Sequence, residues 1–192
     1  MRYGSCILLG FALLGTSPAW AAGDAPSQPS RHAEYAEKLD QLFGALRGTL
    51  DLGEAQSAEA KIRAIWSHDS TDDAVQSLAQ ASLAMQVGDF KVAEPLLDRL
   101  VQDQPEFSEA WNRRATMYYM QGRFKESLAD IATVLALEPR HFGALSGKGA
   151  VLRAMGKPTE ALVAMKEALA IDPNIAGLKD AIEELQKTQP EL

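Results

Sequence analysis

The stretch WNRRATMYYMQGRFKESLADIATVLALEP, residues 111–139, contains two helical patterns that are separated by a glycine and ended by a proline. Trp111, Ala115 and Tyr118 are spaced i, i+4 and i+7 and therefore lie on one face of a helix. The second pattern uses the same spacing logic with Ser127, Ile131 and Val134. Gly122 predicts the end of the first helix, because glycine adopts the left-handed conformation that often terminates one. The stretch thus predicts two helices joined by a tight turn.

This pattern recurs with a period of 34 residues. The turn glycines are Gly88, Gly122 and Gly156, and the closing prolines are Pro105, Pro139 and Pro173. Two independent ladders with one spacing rarely arise by chance, so the sequence predicts three consecutive units over 74–107, 108–141 and 142–175. Pro95 departs from the pattern, because a proline inside a helix removes a backbone donor. Either the second helix of the first unit begins late or Pro95 kinks it.

On these residues the chain resembles the tetratricopeptide repeat (TPR) family. The matching residues are the large Trp111 or Leu145, the small Ala81, Ala115 or Gly149, the small Ala93, Ser127 or Ala161, and the turn glycines and closing prolines. The resemblance covers 102 contiguous residues and implies an all-α fold, a right-handed superhelix of helix-turn-helix repeats with a concave face. Such units stack because one helical pair cannot bury its apolar face alone. The motif encodes packing and is nearly silent on function.

Both ends of the array carry further helical patterns. A C-terminal capping helix is predicted over 176–188, where Leu178, Ile182 and Leu185 share one face. Residues 30–69 contain two apolar stripes, which predict a degenerate N-terminal helical pair that preserves a fourth unit without its closing proline. The stripes are Leu39, Leu42, Phe43 and Leu46, and then Ala58, Ile62, Ile65 and Trp66. The three TPR units and the segment that leads into them fill residues 70–175.

The first 21 residues have the pattern of a secretory signal peptide. A basic start at Arg2 precedes an apolar run, and Ala19 and Ala21 form a small-x-small cleavage signal. The alternative is a single membrane anchor, but the run is about ten residues and a spanning helix needs about 20. We therefore expect an exported, periplasmic protein with a flexible leader over 22–29 and no stable membrane insertion after cleavage. Cys6, the only cysteine, lies in the segment expected to be removed.

Composition and motifs favour a non-enzymatic protein without a cofactor. The formal net charge of −7 argues against nucleic acid, which needs clustered basic residues. His32 and His141 are interpreted as solvated side chains. The run HDSTDD, residues 68–73, could be drawn as a metal cluster, but we interpret Ser70 or Thr71 as the cap of the following helix. The dispersed methionines are interpreted as core residues, and no catalytic constellation is present.

The resemblance implies a binding groove along the first helix of each unit, on the concave face. The predicted groove residues are Val75, Leu78, Ser82, Met85, Asn112, Arg113, Thr116, Tyr119, Ser146, Ala150 and Arg153. This surface suits a peptide with an aliphatic anchor and a carboxylate, because arginine binds a carboxylate through two hydrogen bonds. The alternative is that these residues are merely solvated and that a partner uses the convex face or a terminus.

Co-chaperone members of the family clamp a C-terminal carboxylate with lysine, asparagine and arginine side chains. The corresponding residues of this chain are Leu78, Ser82, Arg113, Gly143 and Gly147. All five differ, so the sequence argues against a clamp for chaperone tails. The resulting prediction is an exported adaptor that binds a protein or peptide partner in assembly or localisation of an envelope complex. The alternative is an architectural subunit that binds through its end helices or convex face.

Overall fold

The computed structural model describes residues 31–49 and 51–187, and these ranges form nine α-helices without a β-strand. The helices are α1 (Arg31–Gly48), α2 (Leu52–His68), α3 (Asp72–Gln86), α4 (Phe90–Asp103), α5 (Ser108–Met120), α6 (Phe124–Leu137), α7 (Phe142–Ala154), α8 (Pro158–Ile171) and α9 (Leu178–Lys187). Within these ranges no helix combines the length and the apolar character that a membrane span requires. The predicted signal peptide and leader lie outside the described residues.

Three antiparallel helical pairs, α3 with α4, α5 with α6 and α7 with α8, stack in chain order. Helix α4 packs on α5, α6 packs on α7, and α9 covers α8. The first helices of successive units are also neighbours, since α5 contacts both α3 and α7. The predicted all-α repeat fold is therefore confirmed.

The turn inside each unit has one hydrogen-bonding pattern. In the first unit Gly88 N–H donates to the Met85 carbonyl at 3.0 Å, and Asp89 N–H donates to the Ala84 carbonyl at 2.8 Å. These two bonds define a Schellman motif, which requires a residue with positive φ at its centre. Gly88 has φ +75°, and the equivalent Gly122 and Gly156 have φ +73° and +71°. The glycine ladder thus exists because this turn needs a residue without a Cβ atom.

Gly149 allows α7 and α8 to approach closely. A Cβ atom at this position would lie 2.5 Å from Met165 Cγ and 3.3 Å from the Ala161 carbonyl oxygen. Both distances are shorter than ordinary van der Waals contacts. The small residue of the repeat pattern at Gly149 is therefore required by the close contact between the two helices of the third unit.

The two helix prolines occupy different positions. Pro158 lies in the first turn of α8, where a missing amide hydrogen costs nothing. Pro95 lies in the second turn of α4, since that helix already begins at Phe90 behind its N-cap residue Asp89. Helix α4 therefore does not begin late, and of the two predicted alternatives the one with Pro95 in the first turn is excluded.

The α1–α2 hairpin is not stacked on α3 as a fourth unit. It lies across the turns that connect the units, and its apolar side chains form one cluster with Phe142, Ile171 and Ile175. Trp66 stacks on His141, with ring centroids 4.0 Å apart and an interplanar angle of 12°. Because the apolar stripes of α1 and α2 pack on these turn residues, no further helical pair within residues 31–49 and 51–187 stacks on the α3 end of the array.

Candidate binding groove

A cavity of about 270 Å³ opens between α5 and α7, the first helices of the second and third units. It is lined by Asn112, Ala115, Thr116, Tyr119, Ser127, Ile131, Gly143, Ser146, Gly147, Ala150 and Val151. We call this cavity the concave groove. Its floor comes partly from the second helix of the middle unit, which contributes Ser127 and Ile131.

The concave groove is deep because one wall lacks large side chains. Gly143, Gly147 and Ala150 lie on one face of α7, at i, i+4 and i+7. A Cβ atom at Gly147 would have Ile131 Cδ1 as its nearest neighbour, at 3.8 Å, which is an ordinary van der Waals contact, so a side chain fits at this position without a clash. The small side chains of α7 therefore leave room in which a side chain from a partner can pack beside the buried Ile131.

Few polar groups in the groove remain available to a ligand. Thr116 Oγ1 donates to the Asn112 carbonyl at 2.9 Å, and Ser127 Oγ donates to the Ala115 carbonyl at 2.8 Å. Ser146 Oγ, by contrast, is buried and has no hydrogen-bond partner among the described residues. Tyr119 lies half-exposed at the edge and contacts the Phe124 ring, with centroids 6.0 Å apart. The groove thus offers an apolar floor with a small number of hydroxyl groups.

A buried carboxylate borders the groove at the N-terminal end of α5. Glu109 accepts hydrogen bonds from Arg113 Nη2 at 2.7 Å, Asn112 Nδ2 at 3.0 Å and His141 Nε2 at 3.2 Å. Burial raises the pKa of Glu109, but the hydrogen bond from His141 and the charge of Arg113 outweigh burial and leave the pKa lowered. Arg113 is therefore held by a charge inside the protein, and its guanidinium is only partly available to a ligand.

His141 is buried, with 1% of its surface exposed, so the interpretation of this residue as solvated was wrong. Its Nδ1 atom accepts the Ala144 backbone N–H at 3.0 Å and caps α7. This bond assigns the ring proton to Nε2, which donates to Glu109. The sequence did not reveal the burial of His141, because the ring is covered by Trp66 from the distant N-terminal hairpin.

The structure brings together only part of the predicted groove. Asn112, Thr116, Tyr119, Ser146 and Ala150 line the cavity, and Arg113 lies beside it. The predicted residues of the first unit, Val75, Leu78, Ser82 and Met85, do not line this cavity. Arg153 is also outside the cavity, and its Nη1 atom lies 3.7 Å from Glu184 Oε2 of the capping helix α9.

The prediction that Leu78 and Met85 line the binding groove was wrong. Both side chains are buried and belong to the cluster that contains Phe107 and Met117. Their large apolar side chains fill the interface between α3 and the following unit. Ser82 is part-buried and donates its hydroxyl hydrogen to the Leu78 carbonyl at 2.8 Å.

The acidic run at the start of α3 is a helix cap. Thr71 is the N-cap residue and accepts the Ala74 N–H, while Asp72 and Asp73 lie in the first turn. His68 is exposed, and its Nδ1 atom lies 2.8 Å from the Ala64 carbonyl oxygen. No group of three or more metal-ligating side chains is assembled within residues 31–49 and 51–187. The side chain of His32 lies outside the described part of the structure.

Comparisons with known proteins agree with the repeat pattern. A family model described as tetratricopeptide repeat matches residues 78–132 and 121–174. A TPR repeat-containing protein of Rhizobium etli is 38% identical over 166 residues, which cover 84% of this chain and 81% of that protein. The chain belongs to the tetratricopeptide repeat family, whose fold is typically a module for protein interaction.

Solved structures show the same fold at low sequence identity. The first TPR domain of Spaghetti (RPAP3), bound to an HSP90 peptide, superposes with a TM-score of 0.60 and 18% identity, covering 64% of this chain and 97% of that domain. YrrB, described as a TPR protein with an unusual peptide-binding site, gives a TM-score of 0.55 and 18% identity, covering 79% of this chain and 71% of YrrB.

Proposed function

We propose that this protein is a non-enzymatic adaptor that binds a segment of a partner protein in the concave groove. The observation that carries this proposal is the glycine-lined wall of α7, which leaves a cavity of about 270 Å³ beside the apolar floor at Ile131. Peptide binding by RPAP3 and YrrB supports a peptide ligand by analogy of fold.

The chemistry of the groove favours an apolar anchor over a carboxylate. A side chain that fills the cavity would remove apolar surface from water, which stabilises a complex by about 25 cal/mol for each Å² buried. Arg113 is already paired with Glu109, and Gly143 and Gly147 stand where a carboxylate clamp would need polar side chains. We therefore propose a bulky apolar side chain as the anchor, with Ser146 and Tyr119 as hydrogen-bonding groups beside it.

Site-specific photo-crosslinking tests this proposal in the intact cell envelope. A crosslinking amino acid at Thr116, which is exposed beside the groove, should form a defined adduct with a partner. The matched position is Ala132 of α6, which is exposed but does not line the concave groove. An adduct from Thr116 and none from Ala132 is expected. The same adduct from both positions, or from Ala132 alone, would contradict binding in the groove.

A second candidate is an architectural subunit that is joined through the uncovered end of α3. Leu83 and Val87 are 62% and 80% exposed there. The residues that correspond to Leu83 in the next two units, Met117 and Val151, are buried. Light scattering after size-exclusion chromatography separates the candidates. An oligomer that dissociates on Leu83→Glu substitution supports the architectural role, and a stable monomer supports the adaptor.

We also propose that the protein is exported and acts in the periplasm, as the signal-peptide pattern of residues 1–21 indicates. The net charge of −7 supports a protein partner over nucleic acid. N-terminal sequencing of the protein from the periplasmic fraction should give Ala22 as the first residue. Recovery of the uncleaved chain from the cytoplasm would contradict export.

A further inference from the structure

A second groove runs between α1 and α2 and is separate from the concave groove. Its volume is about 560 Å³, and its lining includes Lys38, Leu42, Lys61, Ala64, Ile65 and His68. We call it the hairpin groove. Ala64 and His68 lie nearly opposite Trp66 on α2, because residues two positions apart in a helix point in nearly opposite directions. The hairpin groove therefore opens on the side of α2 that does not stack on His141.

The hairpin groove combines an apolar floor with unpaired positive charge. Leu42 and Ile65 are largely buried and form apolar parts of its surface. Lys38 and Lys61 are exposed, and neither pairs with a carboxylate among the described side chains. Among the side chains that the structure describes, no aspartate or glutamate lines this groove. In a chain with a net charge of −7, this groove therefore attracts an acidic ligand.

The shape of the hairpin groove favours a helix as the ligand. The ridges of a third helix fit the channel between two packed helices at an interaxial distance of about 8–10 Å. Ile65 is only 7% exposed, so a planar lipid surface would contact the two exposed lysines far more than this apolar floor. Helix α2 has 17 residues and is therefore about 25 Å long, which matches a helix of about four turns.

We propose that the hairpin groove binds an acidic amphipathic helix of a partner protein. Apolar side chains at i, i+3, i+4 and i+7 would pack on Leu42 and Ile65, and flanking carboxylates would pair with Lys38 and Lys61. This proposal does not depend on a ligand in the concave groove. One chain would then hold two segments at once, one on its repeats and one on its N-terminal hairpin.

Fluorescence anisotropy with a designed peptide tests the proposal. The probe is a labelled 14-residue helix with leucines on one face and glutamates on the other, at about four turns. Two control peptides carry the same residues in scrambled order or lysines in place of the glutamates. Binding of the first peptide at least about tenfold tighter than either control is expected, because both the apolar face and the negative charge are required.

Matched protein variants locate the binding. The double variant Lys38→Glu and Lys61→Glu should weaken binding by at least about tenfold. The control variant Lys91→Glu and Lys166→Glu changes exposed lysines of α4 and α8 that do not line the hairpin groove, and it should bind like the unchanged protein. Ala64→Glu places a negative charge at an exposed position in the groove and should also weaken binding, because this charge repels the glutamates of the peptide. Circular dichroism checks that each variant keeps its helical content.

Three results would overturn the proposal. In the first, the scrambled peptide binds as tightly as the designed peptide. In the second, the control variant loses as much affinity as the double lysine variant. In the third, Gly147→Leu, which changes only the concave groove, also loses as much affinity as the double lysine variant. Vesicles of anionic phospholipid provide the remaining arm of the test. If the vesicles bind with the same dependence on Lys38 and Lys61 while the peptide does not bind, the surface recognises lipid and the proposal is wrong.

Discussion

Replacement of Gly149 by alanine tests the close contact between α7 and α8. The added methyl group would lie 2.5 Å from Met165 Cγ and 3.3 Å from the Ala161 carbonyl oxygen, so both neighbours would have to move. Insertion of one carbon into a packed core costs about 1–3 kcal/mol. Alanine recovers about 1 kcal/mol through its higher helix propensity. Because Cγ lies near the backbone of Met165 and cannot move freely, we expect the insertion cost to lie in the upper part of its range. The net decrease in the free energy of unfolding is then about 1–2 kcal/mol.

Gly147→Ala is the matched control on the same helix. Its methyl group would have Ile131 Cδ1 as the nearest neighbour, at 3.8 Å, which is an ordinary contact. This variant should therefore gain up to about 1 kcal/mol from helix propensity. Urea unfolding followed by circular dichroism measures both changes. Equal stability of Gly149→Ala and Gly147→Ala would contradict a close contact at Gly149, because the two positions would then tolerate a methyl group equally.

Three further predictions concern buried groups. Burial raises the pKa of Asp172, so its ionised form destabilises the fold as pH rises through the folded pKa. Asp172→Asn should therefore stabilise the protein near neutral pH and lose this effect below the ordinary aspartate pKa of about 3.9. Urea titrations at several pH values measure the change. The pKa of Glu109 is lowered, so its ionised form stabilises the fold, in contrast to that of Asp172. Glu109→Gln should therefore lower the free energy of unfolding by about 3 kcal/mol near neutral pH. This loss should shrink as pH falls below about 4.3, because the native carboxylate is then protonated. Trp66→Ala should remove the stack on His141 and raise hydrogen exchange in α1 and α2 more than in the repeats.

The repeat fold was predictable because its determinants are local. The turn glycines and closing prolines each act on a few neighbouring residues, and Gly149 stands at a position where the period requires a small side chain. The sequence also placed the N-cap of α3 at Ser70 or Thr71, and the cap is Thr71. Such features are encoded within one or two helical turns of the chain.

The position of the hairpin was not predictable in the same way. The apolar stripe of α2 indicates that one face is buried, but any apolar surface of suitable shape could bury it. Its actual partners, His141 and Phe142, are more than 70 residues away from Trp66 in the sequence. The same distance explains why the burial of His141, and the Glu109 carboxylate that it pairs with, were missed.

The candidate groove was predicted in part for a related reason. The family register indicates which residues face the concave side, and Thr116, Tyr119 and Ser146 line the cavity. The position of a residue in the repeat does not determine whether its side chain is large enough to pack into the interface between neighbouring helices. Leu78 therefore packs into the core, while Ile131, which is itself buried, lines the cavity beside the glycines of α7.

Binding of a selected peptide to a variant with a filled cavity tests the proposed groove most directly. Peptides are selected on the purified protein from a random library, and the affinity of the best binder is then measured by isothermal titration. Gly147→Leu places a side chain in the cavity, whereas Ala132→Leu adds a leucine at an exposed site on α6 outside it. We predict a bulky apolar anchor in the selected peptides and an affinity at least about tenfold weaker for Gly147→Leu, with no change for Ala132→Leu. Unchanged binding to Gly147→Leu would contradict the assignment of the concave groove as the binding site.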